Sequence, residues 1–186
     1  MPKISDAKVA ILATDGFEKS ELFEPRRQLA EQGAEVVIVS LEAGEIRSWD
    51  KSDWGEAVAV DRTVGEVSVS DFDALVLPGG QINPDILRAD GTAVSFVRSF
   101  FDSGKTLAAI CHAPWLLVEA DVLRGRDLTS YKSIRTDVVN AGGNWMDEPV
   151  VCDRALVTSR NPGDLDAFCA KIVEEIEEGR HRRKAA

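Results

Sequence analysis

The sequence predicts an α/β fold: a largely parallel sheet covered on both faces by helices, with a small antiparallel excursion. Three observations carry this reading. Segments of strand character alternate with segments of helical spacing along the chain. The strand segments are continuous apolar runs, as expected of strands buried on both faces. The chain has 186 residues, 44% hydrophobic and 29% charged, which suits one sizeable core and would be cramped for two. Residues 1–186 are therefore read as a single domain.

The first strand lies over residues 7–13, where Val9, Ile11 and Leu12 form an apolar run ended by Thr14-Asp15-Gly16. Residues 19–32 follow with helical spacing, Leu22, Leu29 and Ala30 pointing inward and Gly33 as the stop. Residues 35–41 form a second strand. Residues 44–69 carry two tryptophans and the alternating Ala57-Val58-Ala59-Val60, which reads as the antiparallel excursion. A third core strand over 73–77 closes on Pro78-Gly79-Gly80. A helix over 92–103 leads to a strand over 106–110 and a helix over 114–120. A short strand is expected over 128–131 and a short helix over 134–140. Residues 150–152 and 155–158 make a hairpin across Asp153-Arg154. Asn161 as N-cap, Pro162 and Asp164 open the last helix.

Sites in sheets of this kind gather at the carboxyl ends of the strands. Three strand ends are punctuated: Asp15-Gly16-Phe17-Glu18, Pro78-Gly79-Gly80 and Cys111-His112. The last places a thiol on a strand-to-helix turn, where the helix N-terminus favours negative charge. His112 is one of only two histidines, and the other, His181, lies in a basic tail. Cys111 is thus the candidate nucleophile. His112 can serve it as a base only if its side chain swings back beside the sulfur.

Glu18 and Glu21, three residues apart, share a helix face beyond the first strand, and one of them can support the thiolate. They fit equally well as surface acids at a helix N-terminus. Gly79 and Gly80 offer unobstructed amides which, with the amide of His112, can form an oxyanion hole; such a triplet also simply makes turns. Asp85 can orient His112, or can be an ordinary first-turn acid after Pro84.

Other chemistries find no support. A Cys–His–Asn protease needs a distant histidine, and only the tail has one. No phosphate-binding loop, dinucleotide fingerprint or pair of histidines at metal spacing occurs. No metal or cofactor is expected. The net charge of −10 opposes nucleic-acid binding over most of the surface; the tail at 180–186 reads as a solvated helix end. No apolar stretch is long enough to span a membrane. Three cysteines without a Cys-x-x-Cys pair suit a reducing cytoplasm.

The stretch Ala109-Ile110-Cys111-His112-Ala113-Pro114, the strand end Asp73-Ala74-Leu75-Val76-Leu77-Pro78-Gly79-Gly80 and Gly16-Phe17-Glu18-Lys19-Ser20-Glu21-Leu22 together resemble the ThiJ/PfpI superfamily. The resemblance continues through Ala120–Arg126, Asn140-Ala141-Gly142-Gly143 and Leu156–Pro162, in order along nearly the whole chain. It implies a flavodoxin-like three-layer sandwich with Cys111 on a nucleophile elbow. It implies that Glu21 supports the thiolate with Glu18 nearby, and that Gly80 and His112 supply the oxyanion amides. It further implies a dimer or hexamer in which Asp85 of a neighbouring subunit orients His112. Ala113 stands where PfpI relatives often carry glycine, and nothing accounts for Cys152.

The expected function is a cysteine-dependent hydrolase acting on peptides or on methylglyoxal adducts in stress protection. The alternative is a non-enzymatic redox sensor or chaperone-like protein built on an oxidisable Cys111.

Overall fold

Unbroken apolar segments set the centre of the sheet, and the chain arranges everything else around them. The computed structural model describes residues 2–179; the tail at 180–186, with His181, lies outside them. A 3-10 turn at Ile4–Asp6 leads into β1 (Lys8–Leu12), β2 (Phe17–Glu18), α1 (Lys19–Glu31) and β3 (Glu35–Ser40). The excursion follows as β4 (Glu45–Asp50) and β5 (Asp53–Ala59), then β6 (Arg62–Thr63) and β7 (Ala74–Leu77). Next come α2 (Ile82–Arg88), α3 (Gly91–Asp102), β8 (Thr106–Ile110), α4 (Pro114–Glu119), β9 (Asp127–Leu128) and α5 (Arg135–Asn140). The chain continues through β10 (Asn144–Trp145), β11 (Val150–Asp153), β12 (Leu156–Ser159) and α6 (Leu165–Glu178).

The main sheet has the order β11-β12-β8-β7-β1-β3-β6. Only β11, paired to β12, runs antiparallel. Its five central strands follow the flavodoxin-like order, with a switch point between β1 and β7. Alternate side chains of each strand face opposite layers. Ala10, Leu12, Leu75, Leu77, Leu107 and Ala109 pack under α3 and α4, against Phe96, Phe100, Leu116 and Leu117. Val9, Ile11, Ala74, Val76, Ala108 and Ile110 pack under α1 and α6, against Leu22, Leu29, Phe168 and Ile172. These two cores make the three-layer sandwich that the sequence predicts. The excursion is the β4–β5 hairpin, extended by a parallel pairing of β2 with β4.

Several local expectations change. Ala30 is exposed: burial of Glu21 with Leu22, Pro25 and Leu29 rotates the inward stripe of α1 away from it. Arg62–Thr63, expected within the excursion, returns to the main sheet edge beside β3. The strand expected over 128–131 shrinks to β9, because the backbone beyond it bonds elsewhere. Thr129 N–H donates to Thr158 Oγ1 (2.9 Å) and Tyr131 N–H to the Cys111 carbonyl (2.8 Å). Asn161 caps a 3-10 turn at Pro162–Asp164, accepting from Gly163 N–H at 2.9 Å, and α6 proper starts at Leu165. Helix α2, expected only through the reading of Asp85 as a first-turn acid after Pro84, is the element that locks the site together.

Candidate active site

The carboxyl ends of β1, β7 and β8 meet at the switch point, where crossover connections leave a crevice. Strand β8 is fully buried and ends at Ile110. Cys111 then turns at φ 64°, a left-handed conformation rare for a residue with a Cβ. The turn is held by three backbone bonds: Cys111 N–H to Ser159 O (3.0 Å), Ala113 N–H to Ile110 O (3.0 Å) and Tyr131 N–H to Cys111 O (2.8 Å). This is a tight strand-to-helix elbow, the backbone geometry expected of a nucleophile turn, with Cys111 6% exposed at the edge of the core under α1 and α6.

Some of the expected groups lie around the sulfur. The His112 ring does swing back: its Nδ1 lies 3.1 Å from Cys111 Sγ. The backbone amides of Gly80 and His112 both donate toward the sulfur and favour its thiolate. Glu21, fully buried, lies near enough for its charge to act on the thiol. Burial and the nearby Glu18 carboxylate push Glu21 up to about 8, so it holds its proton at neutral pH. Burial, and Glu21 whenever it is ionised, push the Cys111 thiol up. A thiolate is therefore compatible with this site chiefly when Glu21 keeps the proton.

Glu18 itself caps α1, accepting from Glu21 N–H at 2.9 Å and from the Ser20 hydroxyl. It stands behind Glu21 and acts on the sulfur only through it. Gly79, expected beside Gly80 as an oxyanion donor, gives its N–H to Glu21 Oε2 at 2.8 Å instead. That bond fixes the carboxyl, so Gly79 positions Glu21 and the amides left facing the sulfur are those of Gly80 and His112. Gly80 needs to be glycine: its φ is +84°, and a Cβ would lie 2.6 Å from Gly16 O.

At Gly79 a Cβ would come within 2.5 Å of Glu21 Oε2 and 2.7 Å of Cys111 Cβ. Gly79→Ala is therefore expected to destabilise the fold by about 1–3 kcal/mol and to cut turnover by about 100-fold through displacement of the thiol. Thermal unfolding and kcat/KM measured on the same preparation check this, and an active variant of parental Tm would contradict it.

Four residues that the sequence reading did not place in the site help build it. Asn83, fully buried in α2, accepts from Thr14 N–H (2.8 Å) and donates to Pro78 O (2.9 Å) and Gly79 O (3.2 Å). It ties the ends of β1 and β7 together; an asparagine before Pro84 was the only local hint. Tyr131, the chain's single tyrosine, stacks on the His112 ring with centroids 4.7 Å apart, and Trp115 meets the ring edge-on at 5.3 Å. Ser133 Oγ lies 3.1 Å from His112 Nε2. Nothing in the sequence marks Ser133.

Asp85 sits exposed in the first turn of α2, and within the chain the ring nitrogens of His112 face Cys111 and Ser133 instead. Cys152 and Cys169 are unpaired, and burial is the main cause pushing both thiols up to about 12. Neither shares the elbow of Cys111.

A family model described as "DJ-1/PfpI family" matches residues 7–175. The chain belongs to the DJ-1/PfpI family. Protein/nucleic acid deglycase 2 of Escherichia coli is 48% identical over 163 residues, covering 87% of this chain and 92% of the relative. YraA of Bacillus subtilis, whose name marks it as a candidate cysteine protease, is 45% identical over 161 residues, covering 87% and 93%. A two-domain protein of Anabaena variabilis with DJ-1/ThiJ/PfpI-like and ferritin-like domains superposes with a TM-score of 0.87 at 38% identity. That match covers 92% of this chain and 48% of the larger one, so the chain spans about half its length. Named relatives thus support a hydrolase-like enzyme of the PfpI type. Among the described residues no helix is long and apolar enough to cross a membrane.

Proposed function

We propose that this protein is a cysteine-dependent hydrolase that acts on small carbonyl adducts, such as methylglyoxal-modified groups, or on short peptides. The observation that carries it is the convergence on Cys111 Sγ of His112 Nδ1, 3.1 Å away, and the amides of Gly80 and His112. The thiol proton passes to His112 Nδ1 and the sulfur attacks the substrate carbonyl carbon. The carbonyl electron pair moves onto oxygen, where the amides of Gly80 and His112 hold the oxyanion. As the oxyanion collapses, His112 returns the proton to the leaving amine. Water then cleaves the sulfur–carbon bond and restores the thiol. Protonated Glu21 donates to the sulfur while it carries charge.

The names of the E. coli and B. subtilis relatives support adduct and amide substrates respectively. Three unpaired cysteines fit a reducing cytoplasm. Self-association belongs to the same reading: exposed Asp85 is available to a second copy of the chain, where it would face that copy's site. The test is turnover of methylglyoxal adducts and fluorogenic peptides with Cys111→Ser as control. Stoichiometric peroxide oxidation of Cys111 without hydrolysis of either substrate class would replace this reading by redox sensing.

A further inference from the structure

The carboxyl ends of β1 and β3 frame a second crevice, on the far side of the switch point from Cys111. It measures about 280 Å³. Ser40, the last residue of β3, is 1% exposed, and Thr14, just after β1, is 9% exposed. Both line the crevice, and neither hydroxyl has a hydrogen-bond partner among the described residues. Buried hydroxyls are normally paired, so two of them lining one crevice mark a place for a polar ligand. Three exposed acids, Asp15, Glu42 and Glu45, line it as well, and no lysine or arginine does. Asp15 is held there by Arg47 N–H, which donates to its Oδ1 at 2.7 Å. The Arg47 side chain turns to the hairpin instead, where Nε donates to Gly55 O at 3.1 Å.

The ligand is a cation, and its shape follows from the spread of the acids. Among the described residues no three His, Cys, Asp or Glu side chains stand close enough to hold a metal ion. Carboxylates spaced this widely suit a broad organic cation. A guanidinium is flat and offers five N–H donors to acceptors ranged around it, while its alkyl stem packs on apolar walls such as Ile46 and Ile86.

We propose that this crevice is a subsite for an arginine side chain of the substrate, two residues from the carbonyl that Cys111 attacks. The inference rests on the hydrolase reading of Cys111 with peptide substrates. In the order β8-β7-β1-β3 the crevice lies two to three strands from Cys111, roughly 10 to 14 Å at about 4.8 Å per strand. Two extended residues at about 3.3 Å each, with the length of an arginine side chain added, cover that span. Asn83 anchors both places: it accepts from Thr14 N–H and donates to the carbonyls of Pro78 and Gly79.

The test measures binding and turnover separately, on the full chain. Calorimetric titration of Cys111→Ser with Nα-acetyl-arginine methylamide and with its citrulline counterpart, an uncharged isostere, needs no hydrolysis. The arginine compound is expected to bind roughly 10- to 100-fold more tightly, as for charge-assisted hydrogen bonds. Most of that preference is expected to vanish when Glu42→Gln and Glu45→Gln are combined. Ser40→Ala is expected to weaken binding at parental Tm, since its hydroxyl holds no other described residue. For fluorogenic peptides with arginine two residues before or after the scissile bond, the better of the pair is expected to exceed its citrulline counterpart by a similar factor in kcat/KM. Equal affinity for the two compounds overturns the proposal. So does a preference that survives the double variant, or peptide turnover blind to the exchange. Preferential binding without turnover of any peptide supports the guanidinium site and removes the hydrolase reading, so the two failures are told apart.

Discussion

Cys111→Ser is expected to lower kcat/KM by about 1,000-fold or more while leaving Tm within about 2 °C of the parent. The hydroxyl is smaller than the thiol and fits the same space, so the elbow at φ 64° and its three backbone bonds survive. What changes is acidity. A hydroxyl holds its proton far more tightly than a thiol, and burial keeps His112 below the usual histidine range, a weak base for so demanding a transfer. The amides of Gly80 and His112 remain and leave a small residual rate, as oxyanion donors do when a nucleophile is lost. Steady-state kinetics beside thermal unfolding make the measurement. Full turnover by the serine variant on both adducts and peptides would remove Cys111 from the mechanism.

Glu21→Gln is expected to abolish a fall in stability that the parent shows between about pH 4.5 and pH 8. In the unfolded chain Glu21 ionises near its ordinary value of 4.5; in the folded protein it keeps its proton to about 8. Below pH 4.5 both states hold the proton. Between the two values only the folded state does, so folding becomes less favourable by up to about 1.4 kcal/mol per pH unit. Above pH 8 both are ionised and the slope ends. Glutamine accepts from Gly79 N–H and donates toward the sulfur as protonated Glu21 does, without titrating. The gap in urea-unfolding free energy between variant and parent is therefore expected to widen in the variant's favour from pH 5 to pH 8. Because every other ionisable group is common to both proteins, a gap that stays constant would mean that Glu21 is not held protonated. The same exchange removes the Glu21 charge that opposes the thiolate, so alkylation of Cys111 is expected to begin at lower pH in the variant.

These two residues differ in how far the sequence reveals them. Cys111 stands at the end of an apolar strand, before His112 and a proline, and local pattern alone marks it as the nucleophile candidate. Glu21 looks like any acid near a helix start. It becomes a proton-holding group only because the fold buries it beside Glu18, while the Gly79 amide that fixes its carboxyl from 58 residues away pulls the other way. Gly79 shows the same limit from the other side. Its composition suggested an oxyanion donor, but the donor is committed to Glu21, and no local pattern encodes that pairing. Asn83 and Ser133 act across separations of 69 and 21 residues, and neither has a periodicity to betray it.

By itself, the sequence determined the α/β class, the strands that carry the site, the Cys111 turn and the glycine turn at the end of β7. These follow from apolar runs, chain punctuation and backbone sterics, which act over a few residues. Only the tertiary structure decided which amide meets which acid, that the His112 ring turns back to the sulfur, and that Ser133 lies beside its other nitrogen. Those outcomes depend on the switch point between β1 and β7 and on α2 packed across it. Proton affinities follow from burial and neighbouring charge, and both exist only once distant segments have met.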